Sequence, residues 1–254
     1  MKKKIVFSLF ATSLLLTQVA RSEVKIGDGT LTFNAAVNSK YVNRGIEQND
    51  KKITPSVGAD FNTPLKTPAG EFGFYLGAWI VQTSLGSNAN STIDTKVSRE
   101  QDVYIGLTKA FGPTTFDIGY INYYYPSATS KDSNNAEGYL KLTIAPDKSP
   151  FTLGLQYFKE DTSGIRTSGA KGTTTKIVGK DYKEVNATYD FGVVQSKLSY
   201  GELDSDTKTT TLALSKSVFD ATVTASFIDA KTDGIASSIK NDTKSLVIGV
   251  SKTF

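Results

Sequence analysis

Apolar and polar residues alternate with a period of two along most of this chain, as in Leu31, Phe33, Ala35 and Val37, or Phe151, Leu153, Leu155 and Tyr157. Residues two apart share one face of a β-strand, so this spacing excludes amphipathic helices and demands a sheet with two chemically different faces. The alternation divides into twelve predicted strands at 30–43, 54–62, 70–83, 98–111, 114–125, 137–145, 151–159, 181–190, 193–202, 209–217, 220–229 and 244–254. Strands of about 10 residues, rising ~3.3 Å each and tilted near ~45°, cross a hydrophobic band of ~25 Å.

The connections alternate too. Five are short (63–69, 112–113, 146–150, 191–192 and 218–219), and six are mostly longer and polar (44–53, 84–97, 126–136, 160–180, 203–208 and 230–243). Short turns on one side and long loops on the other describe an up-and-down transmembrane barrel, whereas a Greek-key sandwich has no reason to keep that order. The expectation is an all-β, transmembrane antiparallel barrel of about 12 strands, forming one domain over residues 23–254.

Strand ends support a membrane rather than water outside the barrel. Phe33, Phe61, Phe72, Phe111, Phe116, Phe151, Phe191, Phe219 and Phe254 fall at the short-turn ends, and Tyr41, Tyr124, Tyr157, Tyr182 and Tyr200 towards the long-loop ends. Two such girdles are where amphipathic rings meet the membrane interfaces. Lys109, Lys216 and Lys252 share the apolar phase but lie at the short-turn end, where an ammonium can reach water. A soluble sandwich or lipocalin-like barrel would instead turn the apolar faces into a core.

Residues 1–22 have the layout of a secretory signal peptide: Lys2, Lys3 and Lys4, an uncharged run from Ile5 to Leu16, then Ala20 and Ser22 at small-residue positions. The apolar run is too short to span a membrane as a helix. Cleavage after Ser22 removes four of the 29 Lys and Arg residues and none of the 25 Asp and Glu, leaving 25 of each. The basic character belongs to the leader, so no retained basic surface points to nucleic acid.

The chain contains neither His nor Cys. That removes imidazole and thiolate metal sites, disulfides, and Ser-His or Cys-His catalysis. Carboxylates remain, but they are scattered without a catalytic constellation. No enzyme activity, metal or cofactor is expected.

Residues Ser39-Lys40-Tyr41-Val42-Asn43-Arg44-Gly45-Ile46-Glu47-Gln48 resemble the Ser-x-Tyr-x-x-Arg-Gly-x-x-Gln element of the TorF family of outer-membrane porins. Gly73-Phe74-Tyr75-Leu76-Gly77-Ala78-Trp79 and Glu100-Gln101-Asp102-Val103-Tyr104-Ile105-Gly106 resemble the same family, so the motifs cover about residues 39 to 106. The chain departs from the pattern at Lys40, where an acidic residue often stands, at Glu47, where serine is common, and at Thr54-Pro55-Ser56, which replaces a Pro-Ala pair. The last strand, closing on Phe254, resembles the terminal strand of bacterial outer-membrane barrels, where the aromatic serves assembly. The resemblance implies a pore-forming protein of the bacterial outer membrane, surrounded by its lipid. Homo-oligomers are an open expectation, because porins of this kind also occur as trimers and no strand here carries an interface signature.

Strand phase independently gives the inward residues. The expected pore lining is Lys40, Arg44, Asp60, Glu100, Asp102, Tyr104, Asp117, Lys141, Glu184 and Lys197. Apart from Arg44, its acids outnumber its bases five to three, which predicts a slight cation preference. Arg44, where the first strand meets its loop, is expected either to sit between Glu100 and Asp102 as a constriction or to brace the loop base. The strand 70–83 is apolar on both faces; Trp79 is assigned to a girdle, with an inward, channel-narrowing Trp79 as the alternative. Loop 160–180 reads as a solvated external loop, or else as a constriction folded into the mouth. The expected function is passive diffusion of ions and small hydrophilic solutes; a non-conducting structural or surface-binding barrel is the alternative.

Overall fold

The computed structural model describes residues 23–49, 52–85, 97–126, 135–161, 167–168, 175–176, 181–204, 207–232 and 243–254. The expected leader, 1–22, and most of loop 160–180 lie outside them. Twelve antiparallel strands form the wall: β1 (Gly29–Asn38), β2 (Thr54–Thr67), β3 (Gly70–Leu85), β4 (Val97–Phe111), β5 (Thr114–Tyr124), β6 (Asn135–Ile144), β7 (Phe151–Glu160), β8 (Tyr182–Asp190), β9 (Gln195–Leu203), β10 (Thr207–Val218), β11 (Ala221–Thr232) and β12 (Thr243–Thr253). Each pairs with its neighbours in sequence, and β1 also pairs with β12, so the sheet closes.

Closure satisfies the backbone. In hydrocarbon an unpaired N–H or C=O costs several kcal/mol, and only a sheet without edges avoids that cost. The seam is finished by the final residue: Phe33 N donates to Phe254 O at 3.0 Å and Phe254 N to Phe33 O at 2.7 Å. A three-residue strand, Val24–Ile26, folds back on the start of β1, pairing Val24 with Leu31.

The apolar phase faces outwards on every side. Ile118 is 60 % exposed, Leu140 51 % and Leu155 50 %, and they continue a belt that includes Ile105, Leu212 and Ile248. A water-soluble protein does not leave a continuous apolar belt around its circumference. The belt belongs in lipid, and the barrel is transmembrane.

At the short-turn end, Phe33, Phe111, Phe116, Phe151, Phe191, Phe219 and Phe254 are exposed on the outside, as expected of a girdle. Lys109 Nζ lies 4.4 Å from the Phe72 ring centre and donates to Glu71 O at 3.0 Å, and Lys252 Nζ lies 5.1 Å from the Phe254 ring centre. These contacts hold the two ammonium groups at the interface. At the opposite end Tyr124 and Tyr200 face outwards, but Tyr41 and Tyr182 are buried inside. For Tyr182 the reason is phase: it lies two residues before Glu184 and shares its inward face.

β1 ends at Asn38, five residues earlier than expected. Ser39 clips the chain to β12, its N donating to Ile248 O at 2.8 Å and its hydroxyl accepting from Ile248 N at 3.0 Å. From there the chain leaves the wall and turns inwards. Elsewhere the strand bounds lie within a few residues of expectation, with β2 extending to Thr67 and β11 to Thr232. The connection between β9 and β10 is only three residues, which departs from the long-loop pattern.

A candidate channel lumen and its inward hairpin

Inward side chains divide the lumen into two unlike halves. On β3 to β8 the inward phase supplies large rings: Tyr75, Tyr104, Tyr123, Tyr139, Phe158 and Tyr182 form one buried cluster, with Trp79 and Tyr125 against it. Facing them, β9 to β11 present small hydroxyl residues, among them Ser199, Thr209, Thr211, Thr224 and Ser226. Bulk on one wall and small groups on the other place the open space off-centre.

The aromatic half is made possible by glycines opposite the rings. Gly106 packs beneath the Tyr75 ring, and a Cβ added there would fall on that ring and within 2.7 Å of Ile118 O. Only glycine lets a phenol lie that flat against the neighbouring strand. Tyr75 Oη then donates to Asp117 at 2.6 Å and lies 2.5 Å from Tyr139 Oη, while Tyr104 Oη donates to Asp60, which also accepts from Asn34 Nδ2 at 3.0 Å. Phenols on carboxylates supply the partners that buried polar groups require.

Residues 39–49 enter this lumen as a hairpin. Val42–Asn43 pairs with Ile46–Glu47, and the two turn residues, Arg44 and Gly45, have φ of 51° and 83°. Two successive left-handed residues make the tight turn that matches strand twist, and Gly45 accepts it without strain. A side chain at Gly45 would also meet the Thr209 hydroxyl and come within 2.7 Å of Ala230 Cβ. The base is tied by Gln48 N donating to Tyr41 O at 2.8 Å and Tyr41 N donating to Asn49 Oδ1 at 2.9 Å.

Arg44 anchors the tip across the lumen. Its Nη1 and Nη2 donate to the two carboxylate oxygens of Glu137 on β6 at 2.5 and 2.6 Å, and Tyr123 Oη donates to the same carboxylate at 2.8 Å. The guanidinium lies 4.9 Å from the Phe158 ring centre and 4.7 Å from that of Tyr182. A planar fork gripped by a carboxylate and two rings is a site for arginine rather than lysine. Thr209 Oγ1 adds a hydrogen bond to Arg44 O at 3.2 Å.

The ten residues expected to line the lumen have buried or half-buried side chains, and for Arg44, the one given expected partners, the partner differs. Arg44 does not bridge Glu100 and Asp102; it reaches Glu137, because the hairpin carries it away from the end of β1. Glu100 instead accepts from Tyr41 Oη at 2.8 Å. Lys141 Nζ lies over Tyr139, 4.4 Å from its centre, and Lys197 pairs with Glu184 at 3.7 Å. Lys40 Nζ donates to Ser245 Oγ at 3.5 Å. Trp79 is inward, edge-on to Tyr41 with ring centres 5.8 Å apart, so the girdle assignment is overturned. Glu137 was missed, although it shares the parity of Lys141 on the same strand.

Between the hairpin and the hydroxyl wall lies a cavity of about 110 Å³. Lys40, Arg44, Trp79, Tyr182, Glu184 and Lys197 border it together with the small hydroxyl residues of β9 to β11.

Solved porins are similar in chain course. A KdgM porin is 12% identical, with a TM-score of 0.49 over 88% of this chain and 99% of that chain. A NanC porin is 10% identical, with a TM-score of 0.48 over 88% and 98%. OccK10 (OpdN) of Pseudomonas aeruginosa is 10% identical, with a TM-score of 0.43 over 89% and 99%. None of the curated proteins matches the chain. A family model described as a bacterial protein of unknown function, Gcw_chp, matches residues 25–254; that description does not carry the TorF name suggested by the motifs. Spanning nearly all of the expected mature chain, the match makes this protein a member of the Gcw_chp family.

Proposed function

We propose that this protein is an outer-membrane channel of the TorF porin kind, exported with residues 1–22 as a cleaved leader, through which ions and small hydrophilic solutes diffuse passively. The observation that carries this reading is the cavity beside the hairpin, lined by charged and hydroxyl side chains within a barrel whose outside is apolar. A closed sheet solvated by lipid outside and lined by polar groups inside supports a water column. In this reading the residues bind no cofactor and make no covalent bond. Lys40, Arg44, Asp60, Glu100, Asp102, Tyr104, Asp117, Lys141, Glu184 and Lys197 shape and charge the lumen, with Glu137 and Trp79 added to them.

The hairpin favours a second reading, a barrel that is closed at rest and serves structurally or by binding at its surface, because Arg44 locks it across the lumen. Planar-bilayer recording on protein extracted from membranes separates the two. The channel reading expects discrete, ohmic conductance steps. A protein that inserts, as shown by protease protection in the same lipid, yet gives no steps would contradict it.

A further inference from the structure

Resting on the channel reading, we infer that the passage is anion-selective and takes small hydrophilic anions. The inward acids are unevenly placed. Glu100, Asp102, Asp117 and Glu137 are 1, 3, 6 and 2 % exposed and packed into the aromatic half; phenols or Arg44 cap Glu100, Asp117 and Glu137, whereas Asp102 Oδ1 is buried without a hydrogen-bond partner among the described residues. None of these four borders the cavity, nor does Asp60, held by Tyr104 and Asn34. The cavity wall instead carries Lys40, Arg44 and Lys197 against, among the described residues, the single carboxylate of Glu184.

Glu184 is itself already engaged. It accepts from Gln156 at 2.8 Å, Tyr182 at 2.8 Å and Asn186 at 3.0 Å, besides facing Lys197 at 3.7 Å. Lys40 has a hydroxyl rather than a carboxylate as its partner. Charges that touch the water column set the potential an ion meets, and low-dielectric walls focus that field along the passage. Lys40 and Lys197 border it, as does Arg44, whose charge is already matched by Glu137, and the hydroxyls of Ser199, Thr209, Thr211, Thr224 and Ser226 supply donors to a partly dehydrated anion. A count over the whole lumen favours cations, but the count along the cavity wall reverses the sign.

The test is the single-channel reversal potential in a KCl gradient, using the purified protein. Chloride is expected to permeate about two- to fivefold better than potassium. The double variant Lys40→Gln, Lys197→Gln should move the reversal potential towards zero, and Glu184→Gln should move it further in the anion direction. Steps with cation-selective or unselective reversal overturn the inference while leaving the channel standing. Complete absence of steps removes both.

Discussion

Replacing Arg44 with alanine is expected to raise single-channel conductance about twofold, and replacing residues 42–47 by a short glycine linker about threefold, since conductance scales with the free cross-section of the lumen. The hairpin tip is anchored chiefly by the Arg44 side chain, which forms two hydrogen bonds to Glu137 and lies against two rings. Removing that side chain leaves the Glu137 carboxylate buried without its cation, a loss of about 3–5 kcal/mol for a buried pair. The released tip then samples positions nearer the mouth, clearing the lumen. Arg44→Lys should fall between wild type and alanine, because an ammonium keeps the charge but loses the bidentate fork and the stacked plane. Bilayer recordings of the three variants check this, and conductance equal to wild type in the linker variant would show that the hairpin does not limit flow.

The second large effect concerns the outside. Leu155 lies mid-strand on β7, half-exposed in the apolar belt. Leu155→Arg is expected to destabilise the barrel by about 2–4 kcal/mol, the cost of a charge near the bilayer midplane. Urea unfolding in lipid vesicles measures it. On a water-facing surface the same exchange would cost almost nothing, so an unchanged midpoint would argue against lipid at this position.

Much of this architecture is legible in period-two alternation, because a wall one sheet thick must repeat its two environments at every second residue. Val37, Leu153 and Leu155 take their outward places from that rule alone, and Asp60, Asp117 and Lys197 their inward ones. The rule is silent where both faces are apolar. On β3, Trp79 and Ile80 compete for lipid, and the inward hairpin decides by bringing Tyr41 to the indole. It is also silent where the chain stops being a strand: nothing in the alternation marks Ser39 as the point of departure from the wall, although Arg44-Gly45 is a legible turn. Tyr182 and Glu137 are different cases. Both share the parity of inward neighbours; Tyr182 is drawn to the girdle by its nearness to a strand end, while Glu137 opens the expected strand 137–145 in phase with Lys141.

The orientation of the wall is tested most directly on two adjacent residues of β10, Thr211 at the cavity and Leu212 on the outside. The chain contains no cysteine, so Thr211→Cys and Leu212→Cys each give a single attachment point for a nitroxide in reconstituted membranes. The account predicts that the label at 212 is relaxed by oxygen dissolved in the lipid and shielded from an aqueous nickel complex, with the opposite ranking at 211. Nickel access at 212 matching or exceeding that at 211 would contradict it.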